Sequence, residues 1–408
     1  MPVGIEKISL YAGRFYLDIA ELAEVRGLDL NYVANNLMCE RRSVYSAYED
    51  AVTLAVNAAK KLLSPEDVKD IELLIVGTES GVDFGKSIST WVHRFCHLPA
   101  NCRNLEVKQA CYGCTGGLKM AASWVASGIR PGKKALVINA DISRNAVGTE
   151  FEHLGGGGAV AMLVSENPQI LEIELEKAGY WMNDIYDTFR PTAKVEMIND
   201  QISVYSYLDA LDGAYENYEK IVGQVDYDTD FKKHIYHAPF PGMPLHAHRT
   251  IISRFKVQDK ASLKENYHQK VKESIYFAKR IGAFYGGSNF LCLLGLLDSS
   301  TNLNPGDRIS LFAYGSGCQG EFYTGLIGST AKERVTALNL DRHLNERMHL
   351  TIEEYEAIEF EREKYIDCSD YEPERNTTAN GAYEKLYEGQ GLLVLKQLEN
   401  YHRRYEWS

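Results

Sequence analysis

The chain has 408 residues, with 44 Lys and Arg against 56 Asp and Glu and 45% hydrophobic residues. That composition excludes a disordered, collagen-like or disulfide-dense chain, and a formal charge of −12 opposes binding to nucleic acid phosphates or anionic lipid. No apolar run reaches the roughly 18 residues of a membrane span, and the N-terminus MPVGIEKISLYAG lacks a basic segment followed by a long apolar one. The expectation is a cytoplasmic protein with no nucleic acid and no membrane among its partners.

In chain order, the first half predicts a strand over 71–76, a helix near 86–95, a strand over 105–107, a helix over 115–126, and strands over 135–139 and 158–164. The second half repeats the alternation, with a helix over about 204–222, a strand over 235–237 and helices near 245–254 and 266–279. An apolar segment over 284–297 and a strand over 308–313 follow. Short buried strands alternating with amphipathic helices indicate an α/β protein with mixed or parallel sheets. Comparable order in the two parts suggests a duplicated unit. The composition shift at 166–170 is the best boundary, giving halves 1–168 and 169–408 that share one core. Beyond them, 347–365 reads as a charged amphipathic helix, 367–380 as an acidic surface loop, and 391–407 as a strand pattern that packs back on the sheet.

Eight cysteines fall at 39, 96, 102, 111, 114, 292, 318 and 368, without the spacing of a secreted disulfide framework, so reduced thiols are expected. Cys111 stands apart. In VKQACYGCTGG a strand ends, a glycine-rich corner follows, and a helix begins with Thr115 as its expected N-cap. A helix N-terminus favours negative charge, so the position predicts a thiolate and supplies amide donors for a developing oxyanion. The alternative is a buried structural thiol. Cys111 and Cys114 also form a C-x-x-C pair with His93, Cys96 and His97 upstream, which raises zinc or dithiol chemistry; a second tight pair in a short loop-rich module is missing.

Glu79 and His237 each follow a predicted strand end. If those strands run parallel to the one before Cys111, all three side chains emerge at one carboxyl edge, where open α/β folds bind ligands. A thiolate can accept an acyl group, a carboxylate can take a proton from a carbon made acidic by that thioester, and an imidazole can donate to a carbonyl oxygen. Taken singly, Glu79 reads as a surface turn residue and His237 as a hydrogen-bonded core histidine. Gly155 to Gly158 and GSGCQG at 315–320 match no phosphate-binding fingerprint. The amide near Ser316 is a candidate second oxyanion donor, and Cys318 reads as core or wall.

GTESGVD, KQACYGCTGG, NADISR, HAPF and YGSG, in that order, together with YLDALDGAYENY and the closing GLLVLKQLENYHRRYEW, resemble the 3-hydroxy-3-methylglutaryl-CoA synthase family of the thiolase superfamily. The resemblance implies a thiolase-like five-layer αβαβα fold of two related halves and a homodimer. By residue it implies Cys111 as the acetylated nucleophile, Glu79 as general acid/base, His237 as the acceptor-orienting histidine, Asp141 as an active-site aspartate and Ser316 as an oxyanion donor. It implies no metal or redox cofactor, the substrates arriving on phosphopantetheine. Two departures stand out. Cys114 replaces the second glycine of the usual ACYGGT, and the usual Gly-Asn-x-Tyr-Thr segment reads Gly282, Ala283, Phe284, Tyr285, Gly286. GSGCQGEFY is more similar to the polyketide-branching members, which implies a donor acetyl acyl carrier protein and an acceptor polyketide acyl carrier protein as partners. The alternatives are the CoA-using synthase of primary metabolism, a ketoacyl synthase-like enzyme and a non-catalytic carrier-docking scaffold.

Overall fold

The computed structural model describes residues 1–144, 147–255, 259–375 and 381–408. Its framework elements in the first half are β1 (Gly4–Tyr11), α1 (Ala51–Leu62), β2 (Ile71–Gly77), β3 (Arg103–Val107), α2 (Gly113–Ala126), β4 (Lys134–Ile142) and β5 (Gly157–Ser165). Those of the second half are β6 (Leu171–Met182), α3 (Asp200–Val222), β7 (Lys233–Tyr236), α4 (Ser288–Ser299), β8 (Arg308–Gly315) and β9 (Gln319–Ile327), and the chain closes with β10 (Leu393–Glu399) and β11 (His402–Trp407).

Hydrogen bonding runs through the first nine strands in the order β7-β8-β9-β6-β1-β5-β4-β2-β3. On one side β2 is parallel to β3 and β4, β4 antiparallel to β5, and β5 antiparallel to β1. On the other, β7 is parallel to β8, β8 antiparallel to β9, and β9 antiparallel to β6. The runs β2-β4-β5-β1 and β7-β8-β9-β6 are therefore one arrangement written twice, joined only where Gly4 and Ile5 of β1 face Glu172 and Leu171 of β6.

Strand alternation sorts the core into layers, because successive side chains point to opposite faces. Leu74, Val76, Leu136 and Ile138 point outward to pack with Leu54 and Val56 of α1. Leu73, Ile75, Ala135 and Val137 point inward and pack with Leu118 and Val125 of α2, Leu291 and Leu294 of α4, and Ile309 and Leu311 of the opposing strands. Phe312 and Phe322 face out on the far side, against Leu211 and Tyr215 of α3. Helix, sheet, paired central helices, sheet and helix make five α/β layers.

The predicted alternation is present, although it leaves out strands β1, β6 and β9, and four further differences stand out. First, α1 is absent from the expected elements; it is an amphipathic helix, AVTLAVNAAKKL, whose residues other than Lys60 and Lys61 are all buried. It is started by a reciprocal cap, Thr53 N–H on Asp50 at 3.0 Å and Asp50 N–H on Thr53 Oγ1 at 2.9 Å. Second, β10 and β11 form their own hairpin rather than joining the main sheet. The hairpin docks on α1: Asn57 exchanges two hydrogen bonds with the Leu393 backbone, and Asp50 accepts from Arg403 and Tyr405. Third, the helix expected near 266–279 is instead Lys260–Lys270 followed by the short turns Lys272–Ile275 and Ala278–Arg280. Ile275 and Phe277 would lie on opposite sides of a helix, yet both enter the central core. Fourth, helix Ile352–Lys364 starts later than the 347–365 pattern suggests, because Arg347 turns inward to donate to Ser43 and to the Arg280 carbonyl. Within the expected 367–380 loop, Tyr371 bridges to Leu398, and residues 376–380 lie outside the described residues.

Candidate active site

After β3 the chain turns through Ala110 at φ 43, a left-handed conformation that costs a residue with a Cβ, and delivers Cys111 to the head of α2. Tyr112 holds the cap position and no side chain caps it, so the positive end of the helix is left open beside Cys111. Thr115 lies within the first turn and is not the N-cap. The Cys111 thiol, partly exposed, donates to Glu79 Oε1 at 3.2 Å. The thiolate expected from the helix end alone is corrected here: burial, and next the charge of Glu79, push the Cys111 thiol well up. At rest Cys111 is a thiol, and the Glu79 it faces ionises only above the ordinary carboxylate range.

Glu79 follows β2, and its backbone is held at both polar atoms. Its N–H donates to Asp141 Oδ1 at 2.9 Å, and its carbonyl accepts from Arg190 at 3.0 Å. Asp141, buried at the end of β4, accepts from the Thr78 hydroxyl through the same oxygen, so this carboxylate fixes the loop that carries Glu79. Burial raises Glu79 above the ordinary carboxylate range, with Arg190 opposing and Asp141 and Glu196 reinforcing the rise. Arg190 also bonds the Tyr285 hydroxyl at 2.8 Å and Glu196 Oε2 at 3.0 Å. It thereby ties the Glu79 loop to Tyr285, a second non-glycine residue at positive φ.

His237 arrives differently from the expectation. Followed through the sheet, β7 is antiparallel to β2, so Cys111 and Glu79 share one edge while His237 comes from the other half. Its N–H donates to the Phe312 carbonyl and its own carbonyl accepts from Tyr207, both at 2.8 Å. Its Nδ1 lies 2.6 Å from Ser288 Oγ at the start of α4. Burial pushes the ring down to about 3, so it is a neutral imidazole at physiological pH.

Two glycines bring the halves together. A Cβ at Gly286 would stand 2.9 Å from the Cys111 carbonyl and 2.6 Å from Asn139 Oδ1, and only glycine permits that approach. Two residues later comes Ser288, on His237. A Cβ at Gly315 would stand 2.4 Å from the Gln109 carbonyl and 2.6 Å from the Tyr112 nitrogen, which puts the Gly315–Ser316 corner against the residues flanking Cys111. Asp187, fully buried, pins that corner by accepting from Tyr314 at 2.5 Å and from Gly317 N–H at 2.9 Å.

Direct hydrogen bonds thus join Cys111, Glu79 and Asp141, while packing brings in the Ser316 corner and the His237 turn. Cys114 is buried in the central core and Cys318 in the outer core beside α3, whereas His93 bonds the Pro99 carbonyl. Among the described residues no three His, Cys, Asp or Glu side chains are grouped to hold a metal. Arg190, Glu196 and Asp187 escaped the sequence reading because they lie between predicted elements and Ser288 because it sits inside the apolar segment expected over 284–297, while Tyr285 was met only within the segment that departs from the family pattern. The one signal was IYDTFRP, charged and polar residues ahead of a proline between two predicted elements.

A cysteine and a glutamate in contact at the head of a central helix, in a doubled five-layer α/β fold, define a thiolase-like condensing acyltransferase. Residues 1–169 match the model for hydroxymethylglutaryl-coenzyme A synthase N terminal, and residues 245–407 that for its C terminal. The chain belongs to the hydroxymethylglutaryl-coenzyme A synthase family. It is 36% identical to the polyketide biosynthesis 3-hydroxy-3-methylglutaryl-ACP synthase PksG of Bacillus subtilis, over 100% of this chain and 99% of that one. It is 34% identical to the hydroxymethylglutaryl-CoA synthase of Enterococcus faecalis, over 88% of this chain and 91% of the relative. The structure of the curacin biosynthetic pathway HMG synthase in complex with acetyl donor-ACP superposes with a TM-score of 0.95 at 37% identity, each chain covered completely. An HMG-CoA synthase complexed with CoA gives 0.88 at 32% identity, likewise over 100% of both chains.

Proposed function

We propose that this protein is the hydroxymethylglutaryl synthase of a polyketide β-branching step, with Cys111 as nucleophile, Glu79 as general acid/base and His237 as the group that orients the acceptor. The observation that carries the reading is the Cys111 thiol donating to Glu79 at 3.2 Å. In the first step the thiol gives its proton to Glu79 and the sulfur takes acetyl from a donor acyl carrier protein, whose phosphopantetheine thiol leaves with a proton. Glu79 then removes a proton from the acetyl methyl group, and the carbanion adds to the β-ketone of a polyketide held on an acceptor acyl carrier protein. The alkoxide that forms takes the proton that Glu79 has just removed, and water cleaves the Cys111 thioester, releasing a carboxylate and a proton and restoring the thiol. A neutral His237 donates to the acceptor carbonyl, the amide at Ser316 stabilises the thioester oxyanion, and Asp141 holds Glu79 in place.

The preference for carrier proteins is supported by the overlap with the donor-ACP complex of the curacin enzyme and by full-length similarity to PksG. The steps ask for no metal or redox group; the cofactor is the phosphopantetheine of the substrates. Residues 1–168 and 169–408 are proposed as the two units of the fold, and the cytoplasm as its compartment, in keeping with the finding that no described helix is long and apolar enough to cross a membrane. The assembly is proposed as a homodimer, for which the outer edge of β3, last in the sheet, is a free pairing edge. Turnover measured with acetyl and acetoacetyl groups on carrier proteins and on CoA, in all four combinations, tests the reading. The carrier–carrier pair is expected to be fastest, and equal or faster turnover of the all-CoA pair returns the protein to the primary-metabolism alternative.

A further inference from the structure

Resting on the reading just given, we infer that Ser288 is the positioning residue of the acceptor site: its hydroxyl donates to His237 Nδ1 and so holds the proton of the imidazole on Nε2. The geometry leaves one consistent assignment. Ser288 Oγ lies 2.6 Å from His237 Nδ1 and accepts the Ala238 N–H at 3.2 Å. A hydroxyl has a single proton, and among the described residues Ser288 Oγ has no other acceptor than Nδ1. If Nδ1 carried the proton instead, the oxygen would receive two donors and its own buried proton would have no partner, an arrangement that buried polar groups avoid.

Both residues are almost fully enclosed, at 1% exposure each, so water does not easily substitute for either partner. The remaining anchors fix the ring from its backbone: His237 N–H on the Phe312 carbonyl and the Tyr207 hydroxyl on the His237 carbonyl. Asn289, the next residue of α4, donates to the same Phe312 carbonyl at 2.8 Å, so the head of the helix and the end of β7 move as one body. The consequence is directional. An Nε2–H imidazole offers a hydrogen-bond donor to an acceptor ketone and cannot act there as a base, which leaves proton abstraction to Glu79. Ser288 touches no reacting atom in this account and acts only through His237.

The tautomer can be read directly in the resting enzyme by nitrogen-15 NMR of labelled histidine, with His237→Gln used to assign the signal. The expected spectrum shows a protonated Nε2 and a bare Nδ1; a protonated Nδ1 in the wild type overturns the inference. In Ser288→Ala the tautomer should become mixed, the acceptor KM should rise and condensation should slow by about tenfold, the scale of one buried hydrogen bond. Acetylation of Cys111 should proceed at the wild-type rate, and Ser288→Thr, which restores the hydroxyl, should recover both tautomer and acceptor KM. A Ser288→Ala enzyme with unchanged tautomer and unchanged condensation also overturns it. Should the wild type fail to take acetyl on Cys111 at all, the β-branching reading fails, while the resting-state spectrum still decides the role of Ser288.

Discussion

The two halves place the same pair of parts together and use them differently. In the first, β2 runs out into Glu79, and the head of central helix α2 presents a thiol 3.2 Å away. In the second, β7 runs out into His237, and the head of central helix α4 presents a hydroxyl 2.6 Å away. The surroundings then diverge. Glu79 is raised by burial and sits among charges, Arg190 opposing the rise and Asp141 and Glu196 reinforcing it. His237 is governed by burial alone, which keeps the ring neutral. One topology, repeated, yields a carboxyl–thiol pair set among charges and an imidazole–hydroxyl pair on which burial alone acts.

The comparison is broken most completely at the sulfur. Cys111→Ala should abolish acetyl transfer from donor to protein, read as loss of the acetyl mass increment. Stable acetyl on Cys114 or Cys318 with normal product would show that the first pair is misassigned. Glu79→Gln comes next. The amide keeps the shape but cannot take a methyl proton, so condensation should fall at least about a hundredfold, roughly 3 kcal/mol in the barrier. Loading of Cys111 should fall by a smaller factor, and deuterium exchange at the acetyl methyl group separates the two steps.

The smallest and sharpest test concerns pH. As the proposed base, Glu79 works only when ionised, so its raised value should place the acid limb of the condensation rate above the ordinary carboxylate range. Removing the nearby cation with Arg190→Gln takes away an interaction that favours the carboxylate, so the limb should move further up, by roughly 1 unit or more. His237, already neutral, should add no limb of its own between pH 5 and 8. A limb that stays in place in Arg190→Gln, or one that vanishes in His237→Gln, would reverse the division of labour between the halves.

The local pattern carried the alternation of elements, because strand and helix periods are written in neighbouring residues. It also carried the candidates Cys111, Glu79 and His237, because strand ends and glycine corners are local signals. The family motifs extended that to Asp141 and Ser316. Three things were decided only by tertiary packing. The relative direction of β2 and β7 depends on a two-residue pairing between β1 and β6, which no periodicity encodes. The protonation state of Cys111 depends first on its burial and next on the approach of Glu79, 32 residues earlier in the chain, which together outweigh the helix end that the sequence made visible. The partners that hold the candidate site residues, Arg190 on Glu79 and Ser288 on His237, come from 111 and 51 residues further along. An arginine between predicted elements and a serine at the head of an apolar helix look the same whether they face water or a distant part of the chain, and only folding brings them within hydrogen-bond reach of Glu79 and His237.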